Sequence, residues 1–314
     1  MQLRRTPLVA ALAFLGVVAA CDRPPQQATA PAAPMFSAAT AETQDTALLR
    51  RIGEINAQLA GSGLEIAVEA IEFFTIGAGR PSARIHQQPF RWVPNDPRRL
   101  AQGDDITYLV DQSDGATASG LTNAQTEAAI DDALDTWDAS KPLKKVDVVK
   151  RTDGGADPDI FDSFFGFGGF GNPFLADITN AGWLPKAFFD AVTGAGNNVL
   201  AFSVTFIFVS GGVPTDINGD NYLDTALNEV YYNTTFGDPG NPVRVGNPWG
   251  INVALPGIDV ETVGLHENGH SLELGHFGPP PAAVMNPRYA GIRQSPFAVD
   301  LAGMDAVWSS WPNP

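Results

Sequence analysis

The stretch D-V-E-T-V-G-L-H-E-N-G-H-S-L-E-L-G-H, Asp259 to His276, decides how the rest of this sequence is read. Asp259 follows the turn pair Pro256-Gly257 and is placed to cap a helix, with acidic Glu261 in the first turn, where the helix dipole favours it. On that helix His266 and His270 stand four residues apart, so both imidazoles leave from one face and can share one tetrahedral zinc ion. Two histidines leave such an ion short of a protein ligand. His276, just after Gly275, can return to it once the helix ends. Glu267 lies beside the first histidine. Peptide hydrolysis needs water made nucleophilic by a metal and a carboxylate to take its proton, and this pattern supplies both. The competing reading is of ordinary core or surface histidines, yet three of the chain's four fall within residues 266–276. The fourth, His86, stands alone and reads as structural.

With these residues in view, the segment resembles the metzincins, whose signature is H-E-x-x-H-x-x-G-x-x-H followed by a methionine turn. Met285 follows in Ala283-Val-Met-Asn-Pro-Arg-Tyr289, a stretch most similar to the matrixins with their M-x-P-x-Y. The resemblance implies that Met285 lies beneath the metal and that Pro287 and Tyr289 wall the pocket for the residue after the cut. It also implies that Asp300 to Trp308 is the closing helix, and that Asn228 to Asn233 is the edge strand antiparallel to a bound peptide. The likeness is specific over residues 261–310 and looser back to about 105. The fold it implies is α+β and metzincin-like: a mixed twisted sheet, an active-site helix and a C-terminal subdomain after the methionine turn.

One position departs from the pattern. The family glycine that lets the chain leave the helix is Glu273 here, with Gly275 two residues on. If the helix ran through Leu274, Glu273 would share the face of both histidines. It would then be a competing ligand, an acceptor for an imidazole N–H, or an exposed helix residue.

A second metal is suggested by Asp216-Ile-Asn218-Gly-Asp220-Asn221-Tyr222-Leu-Asp224, which offers oxygen ligands at alternate positions as in a calcium loop. The match is incomplete: Asn221 replaces the usual glycine, and Leu227 sits where a bidentate glutamate belongs. The rival reading is an Asx-rich loop between two strands.

Further out, Ile106 to Val110 reads as a strand, Asn123 to Trp137 as a helix with Ala129, Ile130, Ala133, Leu134 and Trp137 on one face, and Val146 to Lys150 as a strand. Val199 to Val209 is a strong strand and Asn228 to Tyr232 another. Gly166-Phe-Gly-Gly-Phe-Gly171 is a literal G-x-G-x-x-G, but no helix opens after it, since Asn172-Pro173 follows. It is read as a loop whose phenylalanines cover the core, not as a dinucleotide site. Ala47 to Leu59 is helix-like with Gly61 as its stop, and Leu64 to Phe74 strand-like; residues 46–95 thus form a small N-terminal helix–strand region ahead of a catalytic domain over 96–314.

The chain begins with Arg4 and Arg5 and an apolar run from Leu8 to Ala20, too short to span a bilayer, so residues 1–20 read as an export signal. Val18-Ala-Ala-Cys21 resembles the bacterial lipobox, which implies lipidation of Cys21. This is the chain's only cysteine, so there is no disulfide framework. Residues 21–45, rich in Ala, Pro, Gln and Thr, suit a flexible tether. The expected location is therefore exported and lipid-anchored, at the cell membrane or outer membrane, facing the periplasm or the cell surface. The 314 residues are 44% hydrophobic, enough for a core, and carry a net charge of -16, which repels phosphate backbones and argues against nucleic acid as a partner.

The function expected is zinc-dependent endopeptidase action on extended polypeptides. Rival classes are a zinc- and calcium-stabilised binding or adhesion lipoprotein without turnover, and zinc hydrolysis of a non-peptide amide. Glu267 separates the first two, since a purely structural site has no use for that glutamate.

Overall fold

A computed structural model describes residues 44–77, 83–85, 89–100, 103–155 and 157–312. The export signal, Cys21, the tether up to residue 43 and His86 lie outside them, and the last two tether positions, 44 and 45, already belong to the first helix.

The described chain is α+β. Its strands are β1 (Ile66–Thr75), β2 (Ala83–Arg84), β3 (Phe90–Arg91), β4 (Ile106–Val110), β5 (Val148–Lys150), β6 (Ile178–Leu184), β7 (Val199–Ser210), β8 (Val213–Pro214) and β9 (Leu223–Asn233), with a small pair β10 (Trp249–Gly250) and β11 (Ile258–Asp259). The main sheet runs β2-β1-β7-β9-β6-β4-β5, with β3 pairing β9 and β8 pairing β7. Strands β5, β4, β6 and β9 are mutually parallel, whereas β7 and then β1 add antiparallel, so the sheet is mixed.

Both faces of the sheet are covered, which explains why its strands read as continuous apolar runs. Helices α2 (Asn123–Asp138), α4 (Val260–Ser271) and α5 (Ala298–Trp308) pack on one face with Tyr232 and Trp183. Helices α1 (Gln44–Ser62) and α3 (Lys186–Thr193) pack on the other with Tyr231, Phe202 and Phe206. Adjacent Tyr231 and Tyr232 point into different cores because successive strand residues face opposite ways. Helix α2 buries the stripe expected of it, and its Trp137 ring N–H donates to Leu265 O at 2.8 Å, tying α2 to α4.

Three expectations need correction. Helix α1 runs through Gly61 to Ser62, and the turn falls instead at Gly63, whose φ is +83°. The N-terminal helix–strand region is not a separate body, because β1 is a strand of the main sheet. Finally, Asn228 to Asn233 is no edge: β9 lies between β7 and β6, hydrogen-bonded on both sides and buried along its length. The G-x-G-x-x-G stretch is a loop, as expected. Phe164, Phe165 and Phe167 pack against the α1–α3 core while Phe170 is half exposed. Its glycines answer to crowding, since a Cβ at Gly168 would strike the Asp162 carboxylate and one at Gly171 the Asp157 carbonyl.

Candidate metal centre and peptide cleft

Helix α4 forms because Asp259 caps it, accepting from Thr262 N at 3.0 Å and Thr262 Oγ1 at 2.6 Å. Its burial on nearly every side explains its lack of amphipathic patterning. It ends at Ser271, and Glu273 then adopts a left-handed conformation with φ +71°. The helix therefore stops without the family glycine, and His276 is carried back over His266 and His270.

The three Nε2 atoms lie 3.2, 3.2 and 3.3 Å apart. That triangle matches one face of a tetrahedron around zinc, where bonds of about 2.0–2.1 Å separate ligand nitrogens by about 3.3 Å. The Nδ1 atoms face elsewhere: His266 toward Val284 O at 2.7 Å, His270 toward Leu274 O at 2.7 Å, and His276 toward Glu72 Oε2 at 3.5 Å. Such partners hold the proton on Nδ1 and turn three lone pairs toward one point, an arrangement that a cation stabilises. Burial pushes the affinity of all three rings for a second proton down, to a pKa of about 4 for His276, so they are neutral ligands at pH 7. His266, His270 and His276 thus fit zinc in number, donor type and spacing.

Glu267 is fully buried with neither carboxylate oxygen hydrogen-bonded in the structure, and burial together with the nearby Glu72 pushes its pKa well up. A buried carboxylate without partners has a use to explain. Met285 is buried beneath the helix, so close that a Cβ on Gly269 would lie 2.5 Å from its sulfur. The turn holding Met285 is fixed by Asp300 of α5, whose carboxylate accepts from Val284 N, Met285 N and Phe297 N. Sequence reasoning placed Asp300 in the closing helix and missed this role; an acid three residues after a non-capping Phe297 was the available signal.

Glu273 takes none of the three roles weighed for it. Its carboxylate accepts from Trp92 N and, at 3.1 Å, from Thr225 Oγ1, pointing away from the histidines. Burial raises its pKa to about 8. The 216–224 loop is held by hydrogen bonds of its own side chains. Asp216 accepts from the backbone N–H groups of Gly219, Asp220 and Asn221, while Asp224 is engaged by Arg98, Thr215 and Ile217 N. Asn218 and Asp220 interact with each other, and Tyr222 stacks under Arg91. Asn221 takes the left-handed turn of this loop at φ +69°. An acidic group that the sequence did not signal, Asp111 with Asp157 and Asp159, is assembled from the residue just after β4 and the loop after β5.

Pro287 and Tyr289 form one bank, and β7 the other, of the strip of chain that covers His266. Between them runs β1: Thr75 N donates to Pro287 O at 3.2 Å, Tyr289 N donates to Thr75 O at 2.8 Å, and β1 pairs with β7 from Ile66 to Thr75. Phe74 stacks on His266 with centroids 3.8 Å apart and planes 12° apart, and meets Tyr289 edge-on at 6.0 Å. Tyr289 is itself fixed by its hydroxyl, which accepts from Asp259 N at 2.9 Å.

A sequence model of the matrixin family matches residues 99–309, which include α2, the whole metal centre and α5 but not β1. No curated protein matches this chain.

Proposed function

As the chain belongs to the matrixin family, we propose that it is a zinc-dependent endopeptidase acting on extended polypeptides, with Glu267 as its acid–base group. The observation that carries this reading is the unpartnered Glu267 carboxylate next to a triangle of imidazoles whose spacing suits zinc. When bound, zinc supplies a Lewis acid that polarises the scissile carbonyl and makes water acidic at neutral pH. The protein does the rest. His266, His270 and His276 would hold the ion through Nε2, and the carbonyls of Val284 and Leu274 keep two of the rings in the required tautomer. Glu267 takes a proton from the attacking water and passes it to the departing amine. Its buried surroundings raise its proton affinity, which suits it to both halves of that transfer. A purely structural zinc site gives no role to such a group, and this favours catalysis over a binding protein of the same fold.

The test is cleavage of a mixed peptide library by the chain from Asp22 onward, beside Glu267→Ala and a chelated sample, with bound zinc assayed in each. Loss of cleavage in both controls while Glu267→Ala keeps its zinc supports the reading. An unchanged rate in Glu267→Ala sinks it. The same reading includes export and lipid attachment at Cys21, tested by whether Cys21→Ser moves the protein out of the membrane fraction.

A further inference from the structure

Strand β1 lies where a substrate would have to lie. It precedes the region matched to the family, which begins at residue 99. Without it, β7 would be the edge of the sheet beside the metal centre, because β1 is what covers β7 on that side. The exposed N–H and C=O groups of β7 would then face Pro287 O and Tyr289 N across a gap one strand wide, with His266 as its floor. An extended peptide is the ligand that uses both banks at once, by adding a strand to a sheet edge.

β1 answers to this description in three independent respects. Its backbone is paired on both sides at Thr75, antiparallel to β7 and parallel to Arg288. Side chains alternate, so Phe74 and Glu72 face the histidines while Phe73 faces the opposite core. Phe74 covers the first histidine and fills the space in front of Tyr289, while the Glu72 carboxylate, paired with Arg84, stands over His276. As a result His266, His270 and Glu267 are buried, and the described structure leaves them no open path for a polypeptide.

We propose that Glu72–Thr75 is an intramolecular occupant of the peptide slot, that the described state is latent, and that catalysis requires this segment to withdraw. The proposal rests on the peptidase reading for the identity of the slot. It also names the preference of the slot: a substrate with a large aromatic side chain where Phe74 now lies.

The experiment uses the chain from Asp22 onward, which has no other cysteine, carrying Thr75→Cys with Val199→Cys. These two residues are cross-strand partners. Directly paired Cα atoms are about 4.5–5.5 Å apart, within the range that a disulfide spans. The probe is a peptide hydroxamate with a benzyl side chain beside its zinc-binding group, its affinity read by calorimetry on zinc-loaded protein, with Phe74→Gly as a second variant. The expected result is binding to the reduced pair, at least tenfold weaker binding after oxidation with diamide, and tenfold tighter binding to Phe74→Gly than to the parent (roughly 1.4 kcal/mol for each tenfold change). Equal affinity in the reduced and oxidised forms overturns the proposal, as does absence of binding to every form while zinc is retained. Cleavage is followed separately in the same samples. A hydroxamate pattern as expected with no peptide cut would sink the peptidase reading and leave the occupied slot standing.

Discussion

At the scale of single residues, two positions next to the metal centre carry opposite constraints. Gly269 lies under Met285 and the Trp137 ring, 2.5 and 3.2 Å from where a Cβ would be. Gly269→Ala is therefore expected to lower stability by about 1–3 kcal/mol in urea unfolding, through overpacking and not through helix propensity, which alanine would improve. Glu273 is a non-glycine residue in a left-handed conformation, a strain of about 1–2 kcal/mol, offset by its hydrogen bonds to Trp92 N and Thr225. Glu273→Gly relieves the strain and loses the bonds; Glu273→Ala loses the bonds and keeps the strain. The expected order of stability is Glu, then Gly, then Ala, with zinc content unchanged in all three because the carboxylate points away from the histidines. A zinc loss confined to these variants would contradict that geometry.

At the scale of elements, α5 acts on the metal centre without touching it. Asp300 satisfies the backbone N–H groups of Val284, Met285 and Phe297, and the Trp308 ring N–H donates to Leu272 O at 3.0 Å. Asp300→Ala leaves buried donors unmet and is expected to cost about 3 kcal/mol or more, measured by denaturant unfolding. It should also weaken zinc retention against a competing chelator, because Val284 O orients His266. Asp300→Asn keeps an acceptor and should fall between the two. The elements themselves were legible. The runs 106–110 and 199–209, the Asn123 helix and the capped helix from Asp259 all form close to their expected bounds. Their neighbours were not. β9 reads the same whether central or at an edge, since an apolar run records burial and not which strand provides it.

At the scale of the whole molecule, a strongly acidic chain has buried several of its carboxylates together. Burial and mutual repulsion raise the pKa of Asp162 and Glu229 to about 7 each, and Asp159 further still, with one Asp159 oxygen unpartnered. The folded state then holds protons that the unfolded chain, with ordinary values near about 4, has released. The resulting stability is fully present below about pH 4 and is lost as pH rises toward 7, where Asp162 and Glu229 ionise in the fold. Asp159→Asn should raise the melting temperature over the parent at pH 7.5, raise it less at pH 5 and leave it little changed at pH 3.5, compared by calorimetry at each pH so that the zinc contribution cancels. A lower melting temperature at pH 7.5 would mean that Asp159 is held ionised in the fold.

The sequence by itself determined the local chemistry: which face of a helix offers two imidazoles, where that helix starts, that Glu267 stands beside the first of them, and that a third histidine lies within reach. These follow from backbone periodicity and capping, which act over a few residues. Only the tertiary structure decided what surrounds that chemistry. It turned Glu273 away from the histidines toward Trp92 N, gave Asp216 backbone partners and Asp224 an arginine, and laid β1 between β7 and the Pro287–Tyr289 segment. Each of these depends on contacts between segments far apart in the chain, such as Thr75 with Pro287 or Trp92 with Glu273. No short-range pattern encodes such pairs, because which edge a strand joins is chosen by the packing of the whole sheet.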